Sequence, residues 1–339
     1  MMLQNIFGRR TKSGCADKIG SHLLKHIRQS RLIRCPLLLV SQISRSGGTW
    51  LSQLLDHHPQ TWAHPSELRF GYSRQRWEWP DLSAVNNSEE AWQRLLYAKV
   101  EERFGAGTYN KGNDETHPML FSAEIQRGLF FQLAEDWKPA ADRDWLNIYF
   151  TSFFSAWLDH QRRYGPKRYV TAFASMLALT PSNMARFRQA YPDGWLISLV
   201  REPLGWYASV KRRSSGRNEK KSIVKPHYYG PEAAQAAYLD NLRAIEDNRS
   251  LFGNHFILVD YQDLLSDTEG TMRSLATRIG LDWDPSLTRQ TFNGMLIEPN
   301  TAFRGVATED RPSVLTQEDV AKITEGPMMA AYRASPPAT

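Results

Sequence analysis

The sequence predicts an α/β domain of three layers, a central parallel sheet flanked by helices on both faces. Two observations carry this. Four short, almost wholly apolar runs recur at about 36–43, 168–173, 195–200 and 255–260, and continuous apolarity marks strands covered on both sides. Between them lie stretches with helical spacing, at about 48–57, 89–103, 145–160, 181–190, 203–213, 232–251 and 268–279, so strand and helix alternate. The 339 residues, 41% of them hydrophobic, suffice for a large core. The length admits two domains or one large one with insertions, and we read a single domain over 35–313 with an insertion at about 64–143.

Residues 1–34 form a basic segment, with Arg9, Arg10, Lys12, Lys18, Lys25, Arg28, Arg31 and Arg34 against Asp17 alone. Such a run is most simply a solvated face. The first strand, Leu37 to Val40, breaks into Ser41-Gln42-Ile43-Ser44-Arg45-Ser46-Gly47-Gly48-Thr49, and helical spacing resumes at Trp50, Leu51, Leu54 and Leu55. A small-residue loop between a buried strand and a helix start is suited to an anion, because helix-start N–H groups and the macrodipole face it. The plain alternative is a loop that only turns tightly. The nucleoside-triphosphate signature Gly-x-x-x-x-Gly-Lys-Ser/Thr is absent, which disfavours ATP and a kinase.

The insertion breaks the alternation, with Tyr72, Trp77, Trp79 and Trp92 among polar residues and turn signals. It reads as helical or irregular, its rings either stacking on sugar faces or packing beneath a long loop. Farther on, the strand Trp195 to Val200 leads to Arg201-Glu202-Pro203. A proline at a helix's first position loses no bond it would have made, so a helix begins at Pro203 and carries Ser209. Arg201 either holds an anion at the strand's end or pairs with Glu202. The strand from His255 to Asp260 precedes Tyr261 to Leu265. Ser266-Asp267-Thr268-Glu269 then fits a capping box, and Met272, Leu275, Ala276 and Ile279 follow in helical register before Gly280. The tail, 314–339, is poor in large apolar residues and its last six residues should fray.

Three of these blocks together resemble the sulfotransferases that use 3′-phosphoadenosine 5′-phosphosulfate (PAPS), with a pattern similar to soluble relatives of the carbohydrate and tyrosylprotein enzymes. Ser44-Arg45-Ser46-Gly47-Gly48-Thr49-Trp50-Leu51 matches their first signature except at Gly48, where a hydroxyl residue is usual. The run from Trp195 through Arg201-Glu202-Pro203 to Ser209 matches their second, and His255 to Trp283 their later strand and helix. The resemblance covers about 36–64, 181–213 and 255–285. It implies a fold like that of P-loop nucleotide kinases, and sulfuryl transfer from PAPS to an acceptor hydroxyl. It also implies cofactor-binding roles for Arg45, Ser46, Gly47, Gly48, Thr49, Trp50, Arg201, Ser209 and, in a faint echo of the family's late basic loop, Phe303, Arg304 and Gly305.

Arg201 and Ser209 would hold the 3′-phosphate that distinguishes PAPS from ATP, the guanidinium offering a planar fork to phosphate oxygens. Arg45, Thr49 and the amides of Gly47 and Gly48 would oppose charge developing on the leaving nucleotide. A hydroxyl residue restored at Gly48 should be tolerated. The usual lysine before the 3′-phosphate strand is missing from Thr171–Met176, though Lys167 and Arg168 lie just upstream. By position, Glu67 would be the general base, His64 its runner-up and His57 or His58 packing residues. Another group from the insertion could serve instead, and Glu67 could simply pair with Arg69.

The charge of +6 invites a nucleic-acid reading, but neither basic cluster interleaves aromatics at base-reading spacing. The second cluster, Lys211 to Lys221, abuts the expected nucleotide site and suits an anionic ligand better. No apolar run approaches a membrane span, so a cytoplasmic location is expected. No metal-ligand spacing is present, and Cys15 and Cys35 build no disulfide framework. Acceptor identity stays open, with a glycan or other hydroxylated metabolite favoured by the aromatic insertion. A rival from another class is a nucleotide- or glycan-binding protein that kept the cradle without transfer.

Overall fold

Five strands pair in parallel in the order β2-β3-β1-β4-β5. They are β1 (Leu37–Val40), β2 (Thr61–Glu67), β3 (Tyr169–Phe173), β4 (Trp195–Val200) and β5 (Phe256–Asp260). The computed structural model describes residues 32–70, 78–96, 119–162, 164–215, 230–297 and 314–334. Among these the helices are α1 (Gly48–Leu55), α2 (Ser88–Leu95), α3 (Ala123–Trp137), α4 (Asp142–Ala156), α5 (Pro181–Ala190), α6 (Pro203–Ser215), α7 (Pro231–Phe252), α8 (Tyr261–Ser266), α9 (Thr268–Ile279), α10 (Gln317–Thr324) and α11 (Pro327–Ala334).

The three layers follow from period-2 alternation along the strands. Leu38, Val40, Ile197, Leu199, Ile257 and Val259 point to one face and pack with Leu51, Leu54 and Leu55 of α1 and Met272, Leu275 and Ile279 of α9. Leu37, Leu39, Leu196, Phe256 and Leu258 belong to the core of the opposite face, with Phe150 of α4, Phe187 of α5 and Tyr238 of α7. Because both faces are covered, the strands read as unbroken apolar runs. Each such buried side chain contributes roughly 1.5–3 kcal/mol relative to exposure.

The structure adds elements that the sequence reading lacked. β2 is an edge strand containing Pro65, and its register against β3 shifts between Ala63 and Glu67. A proline lacks the N–H of a ladder bond and is tolerated at an edge. Residues 64–67, read as the start of an insertion, are therefore the end of a sheet strand. Within the insertion, α3 is capped by Ser122, whose side chain accepts from Ile125 N. The helix expected over 89–103 ends at Leu95, where Leu96 turns to an extended conformation. The cap of α9 is Asp267, accepting from Gly270 N, one residue later than the Ser266 box would place it.

Past α9, β6 (Thr291–Phe292) and β7 (Met295–Leu296) form a hairpin around Asn293 and Gly294, both at positive φ. That is the turn an Asn-Gly pair favours. Asp56, at the end of α1, pins it by accepting from Thr291 Oγ1 and Gly294 N, each at 3.0 Å. The segment read as a tail forms α10 and α11, which bury Ile323, Met328 and Met329. Tyr332 Oη donates to Asp260 Oδ2 at 2.7 Å, tying α11 to the end of β5. No helix among the described residues is long and apolar enough to cross a membrane.

Candidate active site

The carboxyl ends of all five strands meet at one edge, and β1 lies where the strand order reverses, the usual place for a ligand in an open α/β sheet. The loop from Ser41 to Gly47 is bolted there from three sides. Ser41 Oγ donates to Ala174 O at 2.6 Å and accepts from Ala178 N at 2.9 Å. Ile43 N donates to Asn241 Oδ1 of α7 at 3.0 Å, and Trp206 Nε1 of α6 donates to Ser44 O at 2.9 Å. Ser44 and Ser175 join their hydroxyls at 2.9 Å. The loop enters α1 with Arg45 at φ 78° and Gly47 at φ 99°. Gly47, the residue before α1, brings no side-chain cap, so the first-turn N–H groups face the loop.

Arg45 and Ser209 come together across 164 residues, with Nε donating to Oγ at 3.0 Å. Arg201, 5% exposed, donates from Nη1 to Arg45 O at 3.1 Å. Its own carbonyl accepts from Tyr238 Oη at 2.6 Å. The alternative reading of Arg201 as a partner of Glu202 is displaced, since Glu202 accepts from Leu204 N and Gly205 N at the start of α6. The Arg201 guanidinium lies 3.9 Å over the Tyr261 ring. Burial pulls its pKa below the ordinary arginine value, opposed by Tyr261. Tyr261 also meets Trp50 edge-on at 5.5 Å and fills the space beside Gly47, where a Cβ would stand 2.5 Å from its Cδ2. One ring thus touches residues of both signatures, and Tyr261 was not among the residues the sequence singled out. Its signal was an aromatic residue immediately past a strand at the carboxyl edge.

Gly48 has a cause the sequence did not reveal. A Cβ there would lie 2.1 Å from Gln42 Nε2 and 2.4 Å from Phe173 Cε2. The expectation that a hydroxyl residue would be tolerated at 48 is overturned, because two buried side chains occupy its room. Ser46 is fully buried and its Oγ has no partner, as a side chain held for an anion would be. The site thus brings together Arg45, Ser46, Gly47, Gly48, Thr49, Trp50, Arg201 and Ser209, and its donors and cations suit a phosphorylated or sulfated ligand. Phe303, Arg304 and Gly305 lie outside the described residues.

Three of the other cations considered from sequence are engaged elsewhere, and the stretch 216–221 of the second basic cluster lies outside the described residues. Lys167 Nζ donates to Pro59 O at 2.7 Å, and Arg168 bonds Gly280 O and Asp282 before β3, at the opposite edge of the sheet. Lys211 pairs with Asp319 of α10.

Both base candidates sit on β2. Glu67 pairs in register with Phe173, the residue that walls Gly48, and its carboxylate forms the ion pair with Arg69. His64 is buried, stacks 4.7 Å from the Phe153 ring, and donates from Nδ1 to Ser66 O at 2.9 Å. Burial pushes its pKa down to about 4, so the ring is neutral near pH 7. His58 bridges the end of α1 to Asp282 O at 2.9 Å, a packing role.

A model of the sulfotransferase family matches residues 36–285. No curated protein sequence matches significantly. Among solved structures, a sulfotransferase domain from the curacin biosynthetic pathway aligns at 16% identity, covering 86% of this chain and 91% of its own, with a TM-score of 0.42. The sulfotransferase domain of the Synechococcus PCC 7002 olefin synthase aligns at 15% identity, 88% and 96% coverage and a TM-score of 0.41. Mouse sulfotransferase SULT7A1, solved in complex with PAP, aligns at 12% identity, 92% and 94% coverage and a TM-score of 0.41. These matches do not single out the carbohydrate or tyrosylprotein enzymes.

Proposed function

Because the chain belongs to the sulfotransferase family, we propose that it moves a sulfuryl group from PAPS to an acceptor hydroxyl, with glycans and other hydroxylated metabolites as the favoured class. The observation that carries this reading is the 3.0 Å hydrogen bond from Arg45 to Ser209, with Arg201 bonded to the Arg45 carbonyl. It joins a helix-start anion cradle to a second, arginine-based anion site, as a nucleotide with phosphates at both ends of its ribose requires.

Arg201 and Ser209 take the 3′-phosphate in this reading, and Arg45, Ser46, Thr49 and the first N–H groups of α1 take the 5′-phosphosulfate. Phe303, Arg304 and Gly305 complete the nucleotide contacts. As the acceptor oxygen bonds to sulfur and the bond from sulfur to the bridging oxygen breaks, negative charge grows on the leaving 5′-phosphate. In this reading the guanidinium of Arg45 and the α1 dipole oppose it. Glu67 accepts the acceptor's proton, and Arg69 steadies the carboxylate. His64 is the weaker candidate, since an imidazole with a pKa near 4 is a poor base at neutral pH.

Incubation with labelled PAPS and a panel of sugars, phenols and lipids tests the proposal. Labelled product from at least one hydroxylated acceptor is the expected result. Nucleotide binding without transfer to any acceptor would favour the binding-protein reading, and transfer of phosphate from ATP would favour a kinase.

A further inference from the structure

Gln42 lies two residues beyond β1, its carbonyl held by Met176 N at 2.9 Å. Its side chain runs beneath the start of α1 and places Nε2 in the volume that a side chain at 48 would fill. The residue is 1% exposed, and its Oε1 is buried without a hydrogen-bond partner. A buried polar atom in that state costs stability, and a methionine of the same length would fill the space without the cost. Ser46 Oγ, in the same loop, is likewise buried and unpartnered. An unpaired Ser46 hydroxyl and a Gln42 carboxamide, whose Nε2 faces Gly48 while its Oε1 is unpaired, therefore flank one helix start, which itself favours anions.

Resting on the nucleotide reading above, we propose that the Gln42 carboxamide is a further binding residue of the 5′-phosphate cradle, supplying the side-chain donor that Gly48 lacks. A carboxamide carries two N–H donors and turns about its terminal bond to aim them, and a hydrogen bond to a charged oxygen is stronger than one between neutral groups. Gly48 is then the other half of the exchange, a glycine because the donor arrives from residue 42.

The test titrates the parent, Gln42→Met and Gln42→Glu with adenosine 3′,5′-bisphosphate and with adenosine 3′-monophosphate, and melts each protein. The ratio of the two affinities isolates the 5′-phosphate. Gln42→Met should melt at or above the parent's temperature, yet bind the bisphosphate roughly ten-fold or more weakly, with monophosphate affinity unchanged. Gln42→Glu, which replaces the donor with a negative charge, should lose more of the ratio. A parent-like ratio in Gln42→Met, or an equal loss for both nucleotides, would show that Gln42 only packs and would overturn the proposal. A parent that binds neither nucleotide overturns the PAPS reading, and this proposal with it.

Discussion

Gly47→Ala is a sharp probe of how the two halves of the site are joined. Gly47 has φ 99°, and left-handed backbone costs a residue with a Cβ about 1–2 kcal/mol. The new methyl would also stand 2.5 Å from Tyr261 Cδ2 and 2.9 Å from Cε2. The ring has little room to yield, with the Arg201 guanidinium 3.9 Å from its centre and Trp50 against it. Overpacking of this kind adds about 1–3 kcal/mol, for a total of about 2–5 kcal/mol. At about 2–4 °C per kcal/mol, the scale for domains of about 150–250 residues, the melting temperature should fall by roughly 4–20 °C. A Tyr261→Ala background separates the two contributions. There the steric part vanishes, so Gly47→Ala should cost about 1–3 kcal/mol less than in the parent. An equal penalty in both backgrounds would refute the packing argument, and a parent-like melting temperature for Gly47→Ala would refute both parts.

Three further perturbations follow. Arg45→Ala should lower turnover more than nucleotide affinity, because its charge matters most as the leaving phosphate gains charge; turnover and calorimetry on one preparation check this, and unchanged turnover counts against it. Glu67→Gln should fold and bind nucleotide normally while losing roughly 10²–10⁴-fold in rate, and near-normal rate alongside a dead His64→Ala would move the base to His64. Burial pushes the Asp56 carboxyl up to about 6, against the bonds from Gly294 and Thr291. With the folded value above the unfolded one near 4, the protonated form favours the fold. Its stabilisation is complete below about pH 4 and is lost as pH rises through about 6, on the order of 3 kcal/mol. Asp56→Asn should remove that part of the pH dependence in urea unfolding, and an unaltered slope would show that other groups carry it.

The core strands and the two signatures were legible because each is local. β1, β4 and β5 are short apolar runs, and Arg45, Arg201 and Ser209 sit at fixed offsets from strand ends. β2 was missed because Pro65 and two polar neighbours obscure a strand that only an edge position permits. The hairpin at Asn293-Gly294 carried its own local signal and went unread. α10 and α11 looked like a tail because their few apolar residues, Ile323, Met328 and Met329, gain meaning only against α6 and α7. The site's remaining logic is not local at all. Tyr261 matters through contacts with Gly47, Trp50 and Arg201, which only the fold assembles. Gly48 read as a lost hydroxyl, whereas the cause is a Gln42 side chain from the loop after β1 and a Phe173 ring from β3.

The central claim is that two anion sites here read a nucleotide with a 3′-phosphate. Calorimetric titration of the parent and of Arg201→Ala with adenosine 3′,5′-bisphosphate and with ADP tests it most directly. The parent should bind the bisphosphate at least roughly ten-fold more tightly than ADP, and Arg201→Ala should erase most of that preference, as expected for losing a charge-assisted hydrogen bond. Equal affinity of the parent for the two nucleotides would contradict the account.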